Sequence, residues 1–225
     1  MSSTVIIRQF VAVSKEARKK VIDALAHVAQ SSQHTAGILK HAVTIPRDQH
    51  DEKSIFVIEE YASQAAYDSH IASRSSEDLL ALLAKTTLLA SPPDSLSFHV
   101  TSSYSRQETT KAKDPYILIA SFEYKEDSRE AALAGWQNVT SACQHSEEGT
   151  FAYVVGKDTK NALRVGSVAV YESEKYFWAV HAKGNAVVDN KTKYGEIRTK
   201  TDLAYYKIVA GFLHKEPTRK VYSKL

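Results

Sequence analysis

A single cysteine in 225 residues excludes an intramolecular disulfide, and no CxxC or Cys/His pattern gives Cys143 a metal-ligand spacing. A reducing compartment is therefore the expected setting. Long apolar runs are also missing. None approaches the ~20 residues a membrane helix needs, and the opening Met1-Ser-Ser-Thr-Val-Ile-Ile-Arg8 lacks the basic-then-apolar order of a secretory leader. A soluble chain with no membrane partner is expected. Charge of one sign is not in excess either: 29 Lys and Arg face 26 Asp and Glu, a net +3, which gives no reason to expect nucleic acid. GxGxxG, P-loop and GxSxG patterns are absent, so nucleotide cofactors and the α/β-hydrolase mechanism have no support. With 43% hydrophobic and 24% charged residues, the composition is that of an ordinary globular protein rather than a disordered one.

What is present is a repeat. The β-rich run Val5–Val13 has a counterpart in Ile117–Tyr124. Each is followed by a helical pattern: Val21, Ala24, Leu25 and Val28 after a capping Ser14, then Ala132, Trp136, Val139 and Cys143. Gly37 and Gly149 each open another strand. The sharpest match is Ile55–Ser63 against Val165–Ser173, both ending in Tyr-x-Ser and both followed by a helix carrying a histidine, His70 and His181. Closing strands Leu96–Val100 and Leu203–Val209 complete the halves, at an offset of about 110 residues. The polar stretch between them ends at Pro115 and reads as a linker. The expected division is a first module at 1–101, a linker at 102–115, a second module at 116–214 and a tail at 215–225.

Each half has the β-α-β-β-α-β order of a ferredoxin-like module. One such sheet covers only one face with helices, and a tandem copy covers the other. The expectation is an α+β fold in which two modules form an intramolecular dimeric barrel. The elements Glu60-Tyr-Ala-Ser-Gln-Ala-Ala-Tyr-Asp-Ser-His70 and Tyr171-Glu-Ser-Glu-Lys-Tyr-Phe-Trp-Ala-Val-His181 resemble those of antibiotic-biosynthesis monooxygenases, a group of dimeric α+β barrels. That resemblance implies oxidation of a phenol or polyketide-type intermediate of secondary metabolism without metal or flavin. The group also includes haem binders, cyclases and proteins that are not enzymes, so the fold alone does not settle the activity.

The catalytic candidates are His181, His70 and Tyr171. A neutral imidazole deprotonates a phenol, and the anion passes an electron to O2. The competing reading makes each histidine a buried helix-end residue bonded to backbone. The second half is the more aromatic, and it is the expected home of the working pocket. Trp178 and Tyr153 are its expected lining; Trp136 is a further candidate, although its place on an apolar helix face also suits core packing. In the first half Tyr61 and the mid-strand Gln9 are candidates, Gln9 standing where Ser121 stands in the second half. His34, His41, His50, His99 and His145 have no acid at i+4, and no metal is expected. Haem is permitted but not indicated. A cyclase or isomerase, or a ligand-binding scaffold, are the rival functions. A homodimer of such chains is also allowed. Ser223-Lys224-Leu225 matches the peroxisomal address, so a peroxisomal location and its import receptor as a partner are expected.

Overall fold

The computed structural model of the chain describes residues 2–215; Ser223, Lys224 and Leu225 lie outside the described residues. The first half runs β1 (Thr4–Val11), α1 (Lys15–Ser32), β2 (Ile38–Pro46), β3 (Ser54–Tyr61), α2 (Gln64–Ile71), α3 (Arg74–Lys85) and β4 (Asp94–Ser105). The second repeats it as β5 (Tyr116–Tyr124), α4 (Arg129–Ser146), β6 (Thr150–Asp158), β7 (Arg164–Tyr171), α5 (Glu174–Ala179), α6 (Asn185–Tyr194) and β8 (Arg198–Phe212). The strands close into an antiparallel barrel in the order β1-β3-β2-β8-β5-β7-β6-β4. No helix among the described residues is long and apolar enough to cross a membrane.

Closure depends on two strands that outrun their expected lengths. β4 was expected to end at Val100 and a linker to begin at 102. Instead β4 continues to Ser105, pairing with β1 through residues 94–99 and with β6 through residues 98–105. β8 likewise leaves β5 and pairs with β2 up to Phe212. An edge strand left unpaired exposes a row of N–H and C=O groups. Here each module's edge is completed by the other. The barrel interior is apolar, with Val5, Ile7, Ile58, Phe98, Ile117 and Tyr206 meeting at its centre.

The outer face of each sheet is covered by its own helices. On α1, Val21, Leu25 and Val28 are buried, as are Ala132, Trp136, Val139 and Cys143 on α4, the positions the helical period selects. The Tyr-x-Ser element acquires a physical meaning. Tyr61 and Tyr171 are fully buried at the ends of β3 and β7. Two residues later Ser63 and Ser173 cap the next helix, their hydroxyls accepting from the backbone N–H of Ala66 and Tyr176. The second helix of each half is broken rather than continuous. α2 yields at Ala72 to a newly capped α3, and α5 stops before His181, which opens a short 3₁₀ turn. Gly211 on β8 pairs with Ala42 of β2 and has φ +85°, and a Cβ there would lie 2.0 Å from the His41 carbonyl oxygen. Only glycine fits both constraints.

Candidate active site

Strand register superimposes the two halves residue by residue. Thr4 pairs with Tyr61 and Tyr116 with Tyr171. Ile38 and Thr150 oppose those same tyrosines, each just before a bulge. Counting along the strands places Arg8 opposite in role to Ala120, His41 to Tyr153, and Glu59 to Ala169. All of these side chains lie between sheet and helices, on the face opposite the barrel interior. The histidines recur, but their surroundings are different in kind.

In the first half the histidine meets charge. Glu59 is almost fully buried. One of its oxygens, Oε2, accepts from Arg8 Nε at 2.8 Å. The other, Oε1, lies 3.4 Å from His70 Nε2 and 3.9 Å from His41 Nδ1. Burial would raise the Glu59 pKa, yet the His70 ring and the Arg8 guanidinium hold its carboxyl down to about 2. Burial pushes His41 down to about 4 against the pull of Glu59. Both His41 ring nitrogens lack a hydrogen-bond partner, as do Arg8 Nη2 and the Tyr61 hydroxyl. Burial, and then the Glu59 charge, push that phenol well above its ordinary range. Arg8, His41, Glu59 and His70 line a cavity of about 130 Å³ whose remaining walls include Phe10, Leu25, Val57, Leu79 and Leu83. Exposed Leu80 lies at its rim.

In the second half the same space is filled. His181 Nδ1 donates to Glu147 Oε2 at 2.9 Å, and that oxygen also accepts from Thr150 Oγ1 at 2.6 Å. Glu147 comes from the end of α4, not from a strand. Burial opposes its ionisation, but the His181 bond and charge lower its pKa. Tyr171, Tyr153 and Phe177 pack their rings 4.8, 5.6 and 5.8 Å from the imidazole. Burial pushes both tyrosines above the ordinary phenol range. Cys143 Sγ lies 3.6 Å from His181 Nδ1, and burial followed by the Glu147 charge pushes its thiol up.

The structure thus brings Tyr171 and Tyr153 to His181, and Tyr61 to His70 with ring centroids 5.6 Å apart. It separates the other candidates from them. Trp178 was expected to line the pocket, but it is 50% exposed, and its neighbour Phe177 takes the inward place. Trp136 stacks on Phe122 and donates its indole N–H to the Tyr124 hydroxyl at 2.8 Å, a satisfied core position. Gln9 shares the barrel-interior face of Val5 and Ile7, so the pleat turns it away from His70. Ser121 has the corresponding orientation and donates to Asp202. An apolar cavity beside a histidine opens in the first half, at His70. Arg8, His41 and Glu59 were missed. Two groups bring together the ligand types of a metal site, His41–Glu59–His70 and Cys143–Glu147–His181. The i, i+4 spacing test saw neither, because their members come from different elements.

A tandem-module α+β barrel with a histidine under each helical layer defines the class of protein. The chain belongs to the antibiotic biosynthesis monooxygenase family, whose sequence profile matches residues 4–81 and again 115–187. Among solved structures it is similar to a protein of Lactobacillus acidophilus NCFM provisionally assigned as a monooxygenase. The TM-score is 0.78 at 14% identity, covering 96% of this chain and 100% of that one. A protein with the same provisional assignment from Fusobacterium nucleatum gives 0.77 at 14% identity, covering 96% and 99%. An anthrone oxidase-like protein gives 0.65 at 14%, covering 93% and 92%. At such identities the likeness speaks for the fold. No curated protein matches in sequence.

Proposed function

We propose that the first-half cavity carries out a monooxygenase reaction on a phenolic ring, using O2 and no organic cofactor. The observation that carries this reading is the unpartnered, buried Arg8 Nη2 beside the Glu59–His70 pair in an otherwise apolar cavity. A buried guanidinium N–H with no acceptor is a ready partner for a phenolate oxygen. The cavity volume of about 130 Å³ is close to that of apolar cavities that hold one benzene-sized ring. The substrate class is therefore a single phenolic ring, or one ring of a larger polyketide whose remainder passes Leu80. A porphyrin does not fit that space.

In this reading His70 Nε2 takes the phenol proton and Arg8 holds the anion. The anion gives one electron to O2, and the resulting radical pair joins through a new carbon–oxygen bond para to the phenol oxygen. His70 returns its proton to the peroxide. Loss of the para hydrogen as a proton then accompanies O–O cleavage. One oxygen remains as the quinone carbonyl and the other leaves as water. Phenol plus O2 gives quinone plus water, so no external reductant is required.

The test is oxygen uptake with a panel of hydroxylated one-ring and two-ring aromatics under ¹⁸O2. Uptake of one O2 per substrate, one labelled oxygen in the product, and loss of roughly 10²-fold or more in rate for Arg8→Met are expected. Uptake no faster than the uncatalysed blank across the panel, or full activity in Arg8→Met, would overturn the reading. Product formed without O2 uptake would indicate a cyclase or isomerase instead.

A further inference from the structure

We infer that His41, Glu59 and His70 form a binding site for a divalent transition-metal ion of the zinc or iron(II) class. The case begins with where the protons are. Ser32 Oγ donates to the Val28 carbonyl at 2.7 Å and lies 3.4 Å from His70 Nδ1. A hydroxyl has one hydrogen, so toward the imidazole it accepts, and Nδ1 carries the His70 proton. In the neutral ring Nε2 is then free of hydrogen 3.4 Å from Glu59 Oε1, and the contact becomes a hydrogen bond to the carboxylate only in the protonated ring. His41 is 1% exposed, its Nδ1 lies 3.9 Å from the same oxygen, and neither of its ring nitrogens has a partner. With its hydrogen on Nε2, His41 turns a second ring lone pair toward the same oxygen, and three electron-pair donors then face one space. A cation resolves that arrangement, and the potential ligand atoms lie within 4.8 Å of one another. Around an ion with bonds of 2.0–2.1 Å, ligand atoms stand roughly 3–3.4 Å apart, so small rotations of the side chains suffice.

The surrounding contacts are those of a supported metal site. Ser32 fixes the tautomer of one histidine, and Arg8 Nε holds the carboxylate oxygen facing away from the converging atoms. Two imidazoles with one carboxylate select borderline ions such as Zn²⁺, Co²⁺ or Fe²⁺ over Mg²⁺ or Ca²⁺. The cavity leaves the remaining coordination positions open. The second-half group is built differently. There Glu147 Oε2 already accepts hydrogen bonds from His181 and Thr150, so the oxygen that faces the histidine is satisfied without an ion.

This site coincides with the proposed reaction site, and the two states exclude each other. An ion on His70 Nε2 occupies the lone pair that would take the phenol proton, so zinc should suppress oxygen uptake by the metal-free protein. The test uses the full chain without a histidine tag, stripped with chelator. Calorimetric titration with Zn²⁺ should give one site per chain. Co²⁺ should add a visible ligand-field absorption band displaced by Zn²⁺. His41→Leu fills the same apolar space without a ligand, and it should weaken binding by about 100-fold or more, beyond the 10–100-fold typical of losing a supporting contact. Cys143→Ala should leave binding unchanged. Absence of stoichiometric binding, binding undiminished in His41→Leu, or binding lost in Cys143→Ala overturns the inference. Binding is read without substrate, so zinc binding without any oxygenase activity sinks only the proposed reaction, and activity without zinc binding sinks only this site.

Discussion

A single residue step on β3 separates two different environments. Glu59 faces the helices and joins Arg8, His41 and His70, whereas Glu60 faces the other way and is bonded by Lys40 and by Ser3. Alternation along a strand makes that division unavoidable, but which glutamate goes where is set by the partner strands. Charged residues inside buried strands were the available signal: Arg8 and Glu59 interrupt runs that read as apolar in the second half, where alanines stand. Their convergence on His70 was not legible, because three strands and a helix contribute and only register brings them together. His181 illustrates the opposite case. Its partner Glu147 is held below the ordinary carboxylate range, so the ionised form is favoured on folding. That stability is fully present above the unfolded pKa of about 4.3 and is lost as the pH falls through the lower folded value. Glu147→Gln should therefore flatten the acid limb of the unfolding free energy measured between pH 6 and 3. An unchanged limb would assign the acid sensitivity elsewhere.

At the scale of the element, period and capping made most of the fold readable. The buried stripes of α1 and α4 are those the helical period selects, and the serines of the Tyr-x-Ser elements are N-caps with their bonds made. The true lengths of β4 and β8 were harder to read, because their last residues pair with strands of the other half and look like linker in isolation. The breaks of the second helices were obscured for a related reason: Ser73 and Gly184 look like ordinary helix-compatible punctuation until the next turn is placed. Gly211 carries a clear expectation. Alanine there must adopt φ +85° and push on the His41 carbonyl. The backbone conformation alone should cost about 1–3 kcal/mol, with the collision adding to it. Denaturant midpoints should fall accordingly, and the His41 side of the cavity should loosen. Wild-type stability in Gly211→Ala would mean that β8 shifts its register without penalty.

For the molecule as a whole, the two modules share one barrel interior and lend each other an edge strand. Residues 1–106 produced alone would leave β2 without β8 and half of β4 without β6, and would open the cluster around Phe98 to water. The expected outcome is that fragments 1–106 and 107–225 fold only when mixed, or as dimers, as read by size-exclusion chromatography and circular dichroism. A monomeric half with a cooperative unfolding transition would contradict it.

The polar segment ending at Pro115 also changes what a mutation means. In a barrel assembled from two identical chains, every substitution is made twice, so a glutamate placed under one helical layer appears under the other as well. In this chain the copies are written separately. Arg8, His41 and Glu59 stand in one half while Ala120, Tyr153 and Ala169 stand in the other. One layer can hold a charged cavity while its twin is packed solid with aromatic rings. Covalent linkage releases the two layers from sharing a single sequence, so each could be tuned without imposing the same change on its neighbour.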